Sequence, residues 1–141
     1  MPTKTAQETL SLEQLCKDVR IIAEYNGEPA PWGDHSTADG WKVTLLRTGA
    51  DGRSHRLTVP FWKGVAHHGA EPSALEVMEC LCSDATSIEN ARDFADWCGD
   101  LGYDADSRRA EKTFLACQRI RDRLAQFLGD EFETFLYAET G

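Results

Sequence analysis

No run of apolar residues in this 141-residue chain approaches the roughly 18 that a membrane helix needs, and the N-terminal MPTKTAQETL lacks the apolar core of a secretory signal. The expectation is a cytoplasmic protein with no membrane partner. Cations are the scarce charge: 15 Lys and Arg stand against 24 Asp and Glu, a net −9 with a pI near 4.8. That balance argues against broad capture of nucleic acid, whose affinity comes largely from counterions displaced at Lys and Arg contacts. The five Cys are an odd number without a CxxC pair, which indicates neither a disulfide framework nor a zinc knuckle; reduced, mostly buried thiols are expected. The chain also lacks a Gly-x-Ser-x-Gly elbow, a Walker loop, a dinucleotide fingerprint, internal repeats and low-complexity tracts. No catalytic residue, metal ligand or cofactor is indicated.

What is present suits one compact domain, 41% hydrophobic and 28% charged, long enough to bury a core without metal or disulfides. Residues 1–10 are small and polar and are expected to be disordered. Ser11 and Gln14 form a capping-box pattern for a short helix. A β-meander is expected over 17–62. VRIIAEY alternates Val19, Ile21, Ala23 and Tyr25 on one face, with Ile22 on the other and Asn26-Gly27 as its end. EPAPWGDHSTADG reads as a loop whose Trp32 either staples it to the body or waits for a partner. WKVTLLRT presents Trp41, Val43 and Leu45 on one face, and HRLTVPFW presents His55, Leu57, Val59 and Phe61, with GADGR as the hairpin turn. Pro60 cannot donate to a ladder, so its strand belongs on an edge or has that nitrogen unpaired.

A helical part of three to four helices is expected over 72–138, giving an α+β class. Ser73 and Glu76 form a second capping box ahead of Leu75, Met78, Leu81 and Cys82, and Thr86 with Glu89 repeats the pattern. A helix carrying Ile88, Ala91, Phe94, Trp97 and Cys98 on one face should then stop at Gly99 or Gly102. Asp104 or Asp106 should cap the next helix, where Ala110, Thr113, Phe114, Cys117, Ile120, Leu124, Phe127 and Leu128 cluster on one side at about 100° per residue. Gly129 ends it, and DEFETFLYAE reads as a last short helix docked by Phe132, Phe135 and Leu136.

Charge is segregated along these helices. Residues 84–106 carry seven carboxylates against Arg92, a formal −6, whereas 107–128 carry six cations against Glu111 and Asp122, a formal +4. Arg108, Arg109, Lys112, Arg119 and Arg123 fall in one sector of the long helix. This basic stripe has three readings: exposed ion pairs with the acidic helix in an antiparallel hairpin, a grip on an acidic protein or nucleic-acid backbone, or a bystander to an acidic surface that imitates phosphate.

Asp104 and Asp106 do not continue into an EF-hand, because Arg108 follows at the next ligand position and no Gly at the sixth; helix capping accounts for both. His67 and His68 are adjacent in a loop without helical ligand spacing, so no metal site is assigned to them.

The segments Glu89–Trp97 (ENA-x-x-F-x-x-W) and Gly102–Glu111 (GYD-x-DSR-x-AE), preceded by WKVTLLR, LTVPFWKG and EPSALEVMECL, resemble a family of small proteins encoded by tailed phages and prophages. The resemblance covers roughly 41–129 and transfers no catalytic residue. It implies a non-enzymatic interaction protein that binds and modulates a host or phage protein, such as a CRISPR, restriction or other nucleic-acid-processing complex. The alternatives are a nucleic-acid-binding accessory using the stripe on 107–128, and a small hydrolase with a site near His67 or His68.

Overall fold

A computed structural model describes residues 11–29, 38–49, 51–64 and 71–138. The chain is α+β. A short helix α1 (Leu12–Leu15) leads through a 3-10 turn into strands β1 (Arg20–Pro29), β2 (Ala38–Thr48) and β3 (Ser54–Gly64); helices α2 (Ala74–Glu89), α3 (Phe94–Leu101), α4 (Arg108–Leu128) and α5 (Phe132–Leu136) follow. Both antiparallel pairings join sequence neighbours, so the sheet is an open β1-β2-β3 meander with β2 in the centre.

Alternation decides which face is covered. Trp41, Val43, Leu45, Leu57 and Val59 point to the helical side and are buried, while Ile22 on the other face is 52% exposed. Val43 sits between Ala23 and Val59, and Leu45 between Ile21 and Leu57, so three strands contribute to each row. Against them lie Val77, Met78, Leu81, Cys82 and Ala85 of α2 and Leu124, Phe127 and Leu128 of α4, in one core closed by Leu12, Phe135 and Leu136. Each large aliphatic or aromatic side chain removed from water there contributes about 1.5–3 kcal/mol. Pro60 is on the edge strand β3, opposite Lys42, where a missing N–H is tolerated.

β1 does not stop at Asn26-Gly27. It continues through a bulge between Tyr25 and Pro29, with Gly27 at φ 67° and the Asn26 side-chain oxygen accepting from the Glu28 N–H at 3.0 Å. The bulge absorbs the turn chemistry that would otherwise end a strand.

Both Ser capping boxes form, at Ser11/Gln14 and Ser73/Glu76. The Thr86/Glu89 pair is different: α2 runs through to Glu89, and the Thr86 hydroxyl donates to the Cys82 carbonyl one turn back (2.6 Å). The break falls at 90–93. Asp93 caps α3 by accepting from the Asp96 N–H (2.8 Å), and Asp96 accepts in return from the Arg92 N–H (3.0 Å). Gly102, left-handed at φ 76°, ends α3. Ser107 caps α4 with contacts to the N–H groups of Arg109 (3.1 Å) and Ala110 (3.3 Å), whereas Asp104 accepts from the Asp106 N–H (3.0 Å) in the turn before it.

A second cluster fixes this turn and α3 to the first half of α4. Trp97 is fully buried, stacked on Tyr103 with centroids 5.2 Å apart and edge-on to Phe114 at 5.2 Å; Phe94, Cys98, Ala110 and Cys117 complete it. The Trp97 indole N–H donates to Ser87 Oγ (3.1 Å), so the ring is satisfied as well as buried.

Candidate functional site

The 21 residues of α4 have one face in the two cores, which turns Arg108, Arg109, Lys112 and Arg119 outward. All four are exposed, and among the described residues none forms an ion pair or a side-chain hydrogen bond. Leu115 lies in the same sector, three residues after Lys112 and four before Arg119, and is 47% exposed. The stripe is therefore cationic at both ends and apolar between.

Arg123, assigned to the stripe by its helical angle, is tethered instead. Its Nη2 donates to the Thr58 carbonyl on β3 at 2.6 Å. Arg121 faces another way and makes the one ion pair between α4 and the 84–106 segment seen among the described residues: Nη2 is 2.8 Å from Glu89, while Nη1 donates to Asp122 at 2.7 Å. Asp122, and then Glu89, hold its pKa above the ordinary value. Glu89 is at the C-terminal end of α2, the unfavourable end for an acid, and Arg121 offsets that charge.

Charge complementarity between two neighbouring helices does not account for the stripe. The chief helical partner of α4 is α2, and α3 covers only part of it. Three of the acidic segment's seven carboxylates are spent locally: Asp93 and Asp96 satisfy N–H groups at the start of α3, where an acid also suits the helix dipole, and Asp104 closes the next turn.

Arg47 is a functional-looking residue that composition and charge runs did not single out. It is 7% exposed, continues the buried alternation Trp41, Val43, Leu45, and donates Nη1 to the Phe127 carbonyl (2.8 Å) and Nη2 to Glu131. Its guanidinium also lies 5.8 Å from the Phe127 ring centroid. The signal was an arginine in phase with the core face, which demands a partner.

Beside it, at the seam of β3 and α4, is a half-open cleft of about 190 Å³ lined by His55, Arg56, Leu57, Arg123, Gln126 and Phe127. His55 Nε2 is 3.3 Å from Asp51, whose carboxyl is held below the usual range chiefly by the Arg53 backbone N–H and further by His55. No group of three or more potential metal-ligating side chains converges among the described residues. Trp32, His67 and His68 lie outside the described residues. No helix is long and apolar enough to cross a membrane among them either. Compared with protein-family models, curated proteins and solved structures, the chain matches none.

Proposed function

We propose that this chain is a non-enzymatic interaction protein whose α4 stripe, Arg108, Arg109, Lys112 and Arg119 around Leu115, docks on an acidic patch of a protein partner. The observation that carries the reading is that these four cations have no ion-pair partner among the described residues, in a chain of net −9 that has seven carboxylates in the preceding segment. Exposed pairs with those carboxylates would return about 0–1 kcal/mol each; the same cations desolvated against a partner's carboxylates are worth more and set orientation and association rate. Arginine with a central apolar side chain is also the composition of an interface core. Outside 107–128 the chain sums to −13, which opposes a long phosphate backbone more than a compact acidic patch. The resemblance to small phage and prophage proteins supports a host or phage protein as the target, such as a subunit of a CRISPR, restriction or other nucleic-acid-processing complex.

The test is capture from nuclease-treated host lysate by the tagged protein and by an Arg109→Glu/Lys112→Glu/Arg119→Glu variant. A stoichiometric protein partner retained by the first and lost by the second, with unchanged far-UV circular dichroism, is expected. Retention by the variant would remove the stripe from the interface. Loss of every partner on nuclease treatment, with a gel shift of bare DNA or RNA that weakens steeply with salt, would establish the nucleic-acid accessory instead.

A further inference from the structure

The cleft between β3 and α4 has a composition at odds with the rest of the molecule. His55, Arg56 and Leu57 come from successive positions of β3, whose side chains alternate between the two faces of the sheet, and Arg123, Gln126 and Phe127 come from the last turns of α4. A cleft lined by three consecutive strand residues wraps around the strand edge. That edge is where Arg123 reaches the Thr58 carbonyl. Leu57 and Phe127 are almost fully buried, so the lining residues that remain accessible to an occupant are polar: Arg56, Arg123, Gln126 and His55. Among the described residues no carboxylate lines it. Glu131 is committed to Arg47, and Asp51 to the Arg53 N–H and His55.

We infer that this cleft binds a phosphate-type dianion, held between the guanidinium groups of Arg56 and Arg123 with Gln126 as a further donor. Two charges are matched by two cations, Arg56 and Arg123, since Arg47 is committed to Glu131. Guanidinium forks suit tetrahedral oxyanions because they present parallel N–H pairs. Arg123 is already fixed by its bond to Thr58, and Arg47 fixes Phe127, so one cation and one apolar lining residue are ordered before a ligand arrives. The volume, about 190 Å³, lies below the roughly 300–1,000 Å³ of pockets that enclose a drug-sized molecule, so the cleft takes a head group and leaves its substituent outside. Inorganic phosphate and a small phosphomonoester should therefore bind alike. The inference is independent of any protein partner at the α4 stripe.

The experiment is a titration of the isotope-labelled full chain with inorganic phosphate at about pH 8, where the dianion predominates, at constant ionic strength, followed by amide NMR. Saturable shifts at Arg56, Leu57 and the Gln126 side-chain amide are expected. They should weaken about tenfold in Arg56→Gln, an exposed substitution, and in Arg123→Lys, which keeps the charge but not the fork; Arg92→Gln, remote from the cleft, should bind as the parent does. A phenyl phosphate arm with like affinity marks head-group recognition, whereas binding of the ester alone would overturn the two-cation account. Shifts that fail to saturate, that appear equally along Arg108–Arg119, or that survive Arg56→Gln would also overturn it.

Discussion

Arg47 and Arg123 cross the same seam in opposite directions. Arg47 leaves β2 to donate to the Phe127 carbonyl on α4 (2.8 Å), and Arg123 leaves α4 to donate to the Thr58 carbonyl on β3 (2.6 Å). The first satisfies one of the carbonyls that a helix C-terminus leaves without an internal partner, where positive charge is also favoured. The second occupies an edge-strand carbonyl, a group otherwise open to another chain. Together they lock the long helix in register against the sheet.

The two differ in burial, and so should their substitution. Arg47→Met removes a buried donor, leaving the Phe127 carbonyl and Glu131 without it, and is expected to cost about 3 kcal/mol. Arg123→Met breaks an exposed contact and should cost about 1 kcal/mol or less. Urea denaturation of both variants checks the ratio; equal losses would mean that the Arg47 carbonyl contact is not what holds the helix end.

Glycines 99 and 102 make a contrast within one helix. Gly99 lies inside α3, with open space where a Cβ would stand, so Gly99→Ala should stabilise by about 0.5–1 kcal/mol through helix propensity. Gly102 has equal space but a φ of 76°, and Gly102→Ala should destabilise by about 1 kcal/mol. Opposite shifts in thermal midpoint are the expected result. The same sign for both would show that α3 ends elsewhere in solution.

The meander and the core were legible because period-2 alternation in Trp41–Leu45 and His55–Phe61 agrees with turn chemistry and with Pro60 on an edge. Ser11 and Ser73 were legible as caps because each places Gln or Glu three residues on. Thr86/Glu89 shows the same letters and is no cap: α2, already packed through Val77, Met78, Leu81, Cys82 and Ala85, runs on to Glu89, and the Thr86 hydroxyl donates back to the Cys82 carbonyl. Charge segregation located the stripe but could not separate Arg123 from it, since Arg123 shares the stripe's helical angle and only the height of β3 beside the last turns of α4 decides its partner. The cleft joins residues some 65 positions apart and leaves no local trace.

The second cluster, small and attached to the main body through α4 and the end of α2, should behave as a separate unit of lower stability. Ser87→Ala removes the acceptor of the buried Trp97 indole and is expected to cost about 1–2 kcal/mol, and Phe114→Ala about 3 kcal/mol. Hydrogen exchange should show 94–107 opening before β2, with both variants accelerating that segment selectively. Uniform acceleration across the sheet would mean that the two clusters unfold together.

Thiol chemistry reports on both clusters. Burial pushes the Cys16 and Cys117 thiols up to about 11 and Cys82 up to about 12, from an ordinary value near 9, with nearby Glu79, Asp84 and Cys16 adding smaller pushes in that order of residue. A group whose folded pKa exceeds its unfolded one favours the folded state fully below the unfolded value, and that contribution is lost as pH rises through the folded one. Stability should therefore fall between about pH 9 and 12 as unfolded thiols ionise while native ones resist. At neutral pH an alkylating agent should modify exposed Cys80 first, slowly, because burial and the carboxylates of Asp84, Glu79 and Glu76 raise its pKa too; Cys16, Cys82 and Cys117 should react only on unfolding. Mass spectrometry of alkylated peptides reads the order. Cys82→Ala should flatten the alkaline slope of the thermal midpoint even while lowering the midpoint itself, and an unchanged slope would show that the Cys82 thiol does not carry the alkaline loss.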